Sequence, residues 1–124
     1  MEPRNGYFLA EVSGEASLEE SIRSIVTVFA ACREHGSERL LVDVRGIAGS
    51  SSVTDRYLLG TQLARSPMQT IRTALLCRED QWMPDRPLEN TAVNRGALLK
   101  TTVSLDDALA WLGDESGSVS APGR

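Results

Sequence analysis

Four side-chain hydroxyls crowd into a span of five residues, Ser50, Ser51, Ser52 and Thr54, between Gly49 and Asp55. They stand where a helix should begin, because Asp55 to Arg65 has a helical pattern with Leu58, Leu59 and Leu63 as its buried side. Ser and Thr favour the N-cap, since their oxygen accepts a hydrogen bond from an amide that the first turn leaves without a partner. Ser52 and Asp55 have the spacing of a capping box. One cap uses one hydroxyl, so two readings stand side by side: a cap alone, or a cap inside a functional loop. A helix N-terminus presents free amides and the positive end of its dipole, and so stabilises a phosphate. A phosphorylated hydroxyl there would add about −2 of charge in a favourable field and change a docking surface.

Other reactive groups are sparse. His35 is the single histidine and sits beside Gly36 at a helix end, where the dipole favours a partly positive imidazole and solvent surrounds it. A base so placed does not suit a Ser-His-Asp or Cys-His arrangement, which needs base and nucleophile in contact. Cys32 and Cys77 with one histidine lack zinc-ligand spacing, so neither a metal nor another cofactor is expected. The two thiols read as small buried hydrophobes, one within a helix and one at a strand end, in a reducing compartment. Ser13-Gly14-Glu15 has one glycine rather than a nucleotide-binding turn, and no Gly-Lys-Ser/Thr run exists. Asp43 lacks the acidic neighbours of a phospho-accepting aspartate, and the only lysine, Lys100, falls inside the last strand. Arg78-Glu79-Asp80 reads as a solvated strand end, and Asn94-Arg95-Gly96 as a helix end with its C′ glycine. Trp82-Met83, beside Pro84 and Pro87, is a loop anchor or a contact surface.

The elements that position these groups follow from periodicity and punctuation. Tyr7 to Ser13 alternates apolar and polar residues as a strand does. Ser17-Leu18-Glu19-Glu20 is a second capping box, opening a helix with Leu18, Ile22, Ile25, Val26 and Phe29 on one face and a stop at His35-Gly36. Leu40 to Val44 is a continuous apolar run suited to a strand covered on both faces, with Arg45-Gly46 closing it. Ile71 to Cys77 and Leu98 to Val103 are further strands, with a loop from Arg78 to Pro87 and a short helix from Leu88 to Arg95 between them. Ser104-Leu105-Asp106-Asp107 caps a last helix ending near Leu112. Gly113 to Arg124 is small and polar, as a disordered tail would be.

The alternation predicts an α/β fold: a single, mostly parallel sheet of four to five strands covered by about four helices, one domain over residues 1–112. Counting the four strands read above, the expected spatial order is 2-1-3-4, with a switch point between the first and third. The chain has 124 residues, 41% apolar and 24% charged, which suits one folded domain without staples. A net charge of −4 with interleaved signs argues against nucleic acid and anionic membrane as partners. No apolar run is long enough to span a bilayer, and Met1 to Gly6 does not resemble a signal peptide, so the expected location is cytoplasmic.

Three stretches together resemble the STAS-like domains, relatives of the bacterial anti-sigma-factor antagonists. They are Val12-Ser13-Gly14-Glu15 to Glu20, Leu41-Val42-Asp43-Val44-Arg45-Gly46 with the Ser/Thr-rich helix entry, and Asn94-Arg95-Gly96 through Asp106 to Leu112. The resemblance spans Tyr7 to Leu112. It implies a mixed sheet covered by helices, and a Ser or Thr at the start of the helix after the central strand that a partner kinase phosphorylates, switching their binding. The matching positions lie in Ser50 to Thr54, although the family's Asp-Ser-Ser-Gly run is replaced by Ser51-Ser52-Val53-Thr54-Asp55. The family also opens with an extra strand; only Met1 to Gly6 precedes Tyr7, so that hairpin is expected to be missing or rudimentary. The functional expectation is a non-enzymatic signalling domain that binds another protein, or a second copy of itself, through Ser50, Ser51, Ser52, Thr54 and Asp55. The alternative is a small-molecule or lipid-binding module with an apolar pocket between sheet and helices.

Overall fold

Gly6, at φ 93, adopts a backbone conformation open chiefly to glycine and turns the chain from β1 (Glu2–Arg4) into β2 (Tyr7–Glu15). The two strands pair antiparallel, with Pro3 opposite Phe8. The hairpin, expected to be missing or rudimentary, is therefore present, with a first strand of three residues. A computed structural model of the chain describes residues 1–4, 6–49, 52–64 and 70–113, and all structural statements refer to these. The stretch 113–124, expected as a tail, lies outside them beyond Gly113.

After β2 come α1 (Leu18–Glu34), β3 (Arg39–Ala48), α2 (Val53–Leu63), β4 (Arg72–Leu76), a 3-10 turn (Glu79–Gln81), α3 (Pro87–Asn94), β5 (Leu99–Thr102) and α4 (Leu105–Leu112). The fold is α/β, with a five-stranded, mostly parallel sheet and four helices. None of the described helices is long and apolar enough to cross a membrane.

The strand order is β1-β2-β3-β4-β5, not the order expected from sequence, in which β2 would have lain between β3 and β4. The cause is the hairpin. β1 occupies one edge of β2, so β3 takes the other and β4 has no edge of β2 left to pair with. The switch point expected between β2 and β4 does not form. Each parallel crossover now steps in the same direction, and right-handed crossovers of that kind deposit their helices on one face. Val28, Phe29 and Cys32 of α1, Leu63 of α2 and Ala92 of α3 accordingly share a core with Phe8, Ala10, Leu40 and Leu99. The opposite face is covered by α4, whose Ala108 and Leu112 pack on Leu41, Ala74 and Leu76.

β3 also runs past Val44, where the sequence pattern ends it. A bulge shifts the β2–β3 register between Glu11 and Ser13, after which Gly46, Ile47 and Ala48 pair with Ser13, Gly14 and Glu15. Two helix faces differ from expectation as well. Val26 of α1 and Leu58 of α2 are exposed, while Val28, Cys32 and Gly60 are buried.

The three serine caps form as their spacing predicts. Ser17, Ser52 and Ser104 accept from the amides of Glu20, Asp55 and Asp107 at 3.2, 3.1 and 3.1 Å. In α1 the Glu20 carboxylate turns to Arg23 at 2.6 Å.

Gly60 marks where α2 and α3 touch. A Cβ there would lie 2.7 Å from the Leu88 carbonyl oxygen and 2.8 Å from Thr91 Cβ, closer than packed atoms tolerate. Gly60→Ala should therefore lower stability by about 1–3 kcal/mol despite alanine's better helix propensity. A urea titration checks this, and an unchanged midpoint would mean that α3 shifts aside freely.

Candidate functional site

Successive residues of a strand point to opposite faces, so one face of the sheet is read by alternate positions. On the three-helix face these are Val12 of β2, Val42 and Val44 of β3, Thr73, Leu75 and Cys77 in and after β4, and Leu99 and Thr101 of β5. Most are short or β-branched. The helices above do not fill the space over them, and a cavity of about 310 Å³ remains. Its roof is Ile25, Val28 and Phe29 of α1, Leu59 and Leu63 of α2, and Leu88 of α3. The volume is at the lower end of small-molecule sites.

The loop after β4 forms one end of the cavity wall, and Gln81 holds that loop. Its buried amide nitrogen donates to the carbonyls of Val44 and Ile47 at 3.0 and 3.2 Å, and its oxygen accepts from the Arg78 amide at 2.7 Å. Arg78 adds a guanidinium bond to the Ile47 carbonyl at 2.8 Å, another to the Arg45 carbonyl, and a 2.9 Å pair with Asp80. The stretch Arg78-Glu79-Asp80 is thus more than a solvated strand end: Glu79 and Asp80 are exposed, but Arg78 is part of a latch. The latch presents Trp82 and Met83 to the cavity, which makes Trp82 both a loop anchor and a partly exposed rim residue. Arg86, at φ 47, then turns the chain into Pro87 at the start of α3.

The wall is mainly apolar, but Glu15, Glu20, Ser21, Ser24, Arg56, Arg86 and Glu89 also line it. Glu89 is committed: one carboxylate oxygen accepts from the Thr101 amide and hydroxyl at 2.7 and 2.8 Å, and the other pairs with Arg86 at 3.4 Å. The Cys77 thiol points at the Thr102 carbonyl at 3.6 Å, and burial pushes its pKa up against the lowering influence of Arg56 and Arg78. It therefore remains a neutral thiol, not a nucleophilic thiolate, at neutral pH. Arg56 of α2 is half-buried on the wall; burial lowers its pKa while Cys77 raises it, and a guanidinium stays charged through such shifts. Cys32 is likewise buried and free, its pKa raised by burial and its thiol 3.5 Å from the Ser37 carbonyl. No group of three or more His, Cys, Asp and Glu suited to a metal ion occurs among the described residues.

Of the hydroxyl cluster, the described Ser52 and Thr54 are not among the residues that line this site. Ser52 is the N-cap of α2, its oxygen used by Asp55, and Ser52 and Thr54 face solvent, with Asp55 half-buried in the first turn. Ser50 and Ser51 lie outside the described residues. Gly49, just before them, and Arg56, just after Asp55, both line the cavity. His35 is exposed at the end of α1, its ring 4.9 Å from that of Phe8. Arg95, at the end of α3, lies over the Tyr57 ring of α2 at 5.6 Å.

No protein-family model matches the chain, and no curated protein is significantly similar to it.

The residues that sequence reasoning missed are Arg56, Gln81 and Glu89. For Arg56 a signal existed: Arg56, Leu59 and Leu63 follow helical spacing, so an arginine shares the buried stripe. For Gln81 and Glu89 there was none, since their partners lie 34 to 37 and 12 residues away.

Ser52→Ala should cost about 1 kcal/mol by removing the cap. Thr54→Ala should stay within about 0.5 kcal/mol, since its side chain is exposed; chemical denaturation of both variants checks the contrast. Asp43, on the α4 side of the sheet, takes two guanidinium bonds from Arg45 at 3.0 and 2.9 Å, which hold its pKa below the usual value. A carboxylate so depressed contributes stability above the unfolded pKa of about 3.9, and that contribution is lost as pH falls through the lower folded value. Asp43→Asn should therefore be less stable than the parent at pH 7, with the gap closing in acid. A constant gap across a pH series of urea midpoints would assign the effect to packing instead.

Proposed function

We propose that this chain is a binding domain, not an enzyme, that takes a small apolar molecule into the cavity between its sheet and the α1–α2–α3 layer. The observation that carries the reading is the cavity itself. A packed interior leaves few voids larger than a water molecule, whereas here about 310 Å³ lies over Val42, Val44, Thr73 and Leu75. Concave sites lined mainly by apolar side chains with a few polar groups are the ordinary form of a small-molecule site. The Gln81–Arg78 latch supports the reading, because it fixes the rim residues Trp82 and Met83 in place before any guest arrives. The resemblance to STAS-like domains is consistent with it, since such folds can enclose an apolar ligand.

A second reading, a STAS-like regulatory domain whose Ser/Thr-rich loop contacts another protein, is favoured by one further observation. Val53, Tyr57 and Leu58 are 61%, 48% and 40% exposed along α2, next to Ser52 and Thr54. Exposed apolar side chains beside a modifiable hydroxyl suit a surface that a phosphate could switch.

The first reading is tested with Nile red, a neutral dye that brightens in apolar surroundings. The parent protein should bind it saturably, and Leu75→Trp or Val42→Phe, each filling the cavity, should weaken binding at least about tenfold with the circular dichroism spectrum retained. Equal binding by both filled variants would place the dye elsewhere and defeat the proposal.

A further inference from the structure

We infer that Glu89 guards the open edge of the sheet, keeping β5 from pairing with the β5 of a second copy of the chain.

The strand order leaves two edges, β1 and β5. A bare edge presents a row of main-chain donors and acceptors on which another strand can add. β1 is poorly suited to such addition, because it has three residues and its middle one, Pro3, has no N–H. β5, Leu99-Lys100-Thr101-Thr102, contains no proline.

The ladder shows which main-chain groups of β5 face outwards. The amides of Thr73 and Cys77 donate to the carbonyls of Leu98 and Thr102 at 2.8 and 3.0 Å, so residues 98 and 102 turn their main-chain groups to β4. Direction alternates along a strand, so Thr101 turns its amide away from β4. Among the described residues no further strand lies on that side. The Thr101 amide nevertheless has an acceptor. Glu89 of α3 reaches it at 2.7 Å, and the same oxygen takes the Thr101 hydroxyl at 2.8 Å.

The Glu89 side chain is only 15% exposed, and a carboxylate drawn from water needs compensation. Thr101 supplies two bonds, and Arg86 pairs with the other oxygen at 3.4 Å. Docking of α3 does not by itself call for this carboxylate, since Ala92 of α3 already shares a core with Leu99 of β5. A two-fold axis would set β5 antiparallel to its own copy. That pairing needs the Thr101 amide as a donor, and Glu89 stands in the acceptor's place. It would also bring Lys100, the chain's only lysine, near its copy, an unfavourable like-charge contact.

Sedimentation over a concentration series tests the guard, with circular dichroism to select folded variants. Relative to the parent, Glu89→Ala should gain mass towards a doubling as concentration rises. Glu89→Gln keeps an oxygen that can accept from Thr101, and should sediment as the parent does. Adding Thr101→Pro to Glu89→Ala removes the donor at an edge position, where proline is tolerated, and should reverse the gain. A folded Glu89→Ala that gains no mass, or a gain that survives Thr101→Pro, overturns the inference. Should Glu89→Ala fail to fold, amide exchange in the parent decides. The Thr101 amide should exchange at least about tenfold more slowly than an unprotected one, and exchange at the unprotected rate overturns the guard.

Discussion

The rest of the structure depends on the occupied edge of β2. Three residues of β1 close that edge, and the parallel sheet then grows from the other side only. Growth in one direction, with right-handed crossovers, stacks α1, α2 and α3 on the same face and leaves α4 to cover the other. The asymmetry has a physical result. Three helices bridging short side chains span more surface than they fill, and the cavity opens beneath them. On the α4 face, Leu41, Ala74 and Leu76 meet a single helix in direct contact.

Much of this architecture was legible in the residues. The alternation of strand and helix signals gave the α/β class, and each Ser-x-x-acid spacing marked a helix start that the caps of Ser17, Ser52 and Ser104 realise. Strand order was not legible, because it turned on a hairpin of three residues whose pattern is too short to weigh. On α2 the expected buried side holds at Leu59 and Leu63 but not at Leu58, which is exposed while Arg56 lines the cavity. Arginine covers apolar surface with its stem, so hydrophobicity alone places it wrongly.

The hydroxyl cluster, conspicuous as sequence, divides into parts. Ser52 is accounted for by its cap, and Thr54 and Asp55 follow it on the first turn of α2. Their importance to the cavity is indirect, since the same cap fixes the turn from which Arg56 projects to the wall. The cap and one residue of the cavity wall thus share one helix end.

The latch beside the cavity has a lopsided dependence on the genetic code. Its donors are the side chains of Gln81 and Arg78, but every acceptor on β3 is a main-chain carbonyl, of Val44, Arg45 or Ile47. Codons for those three strand residues can drift without removing a single acceptor, whereas a change at either donor breaks several bonds at once. Sequence variation tolerated here would accordingly gather on the strand and spare the loop, and the two would not vary in concert although they touch.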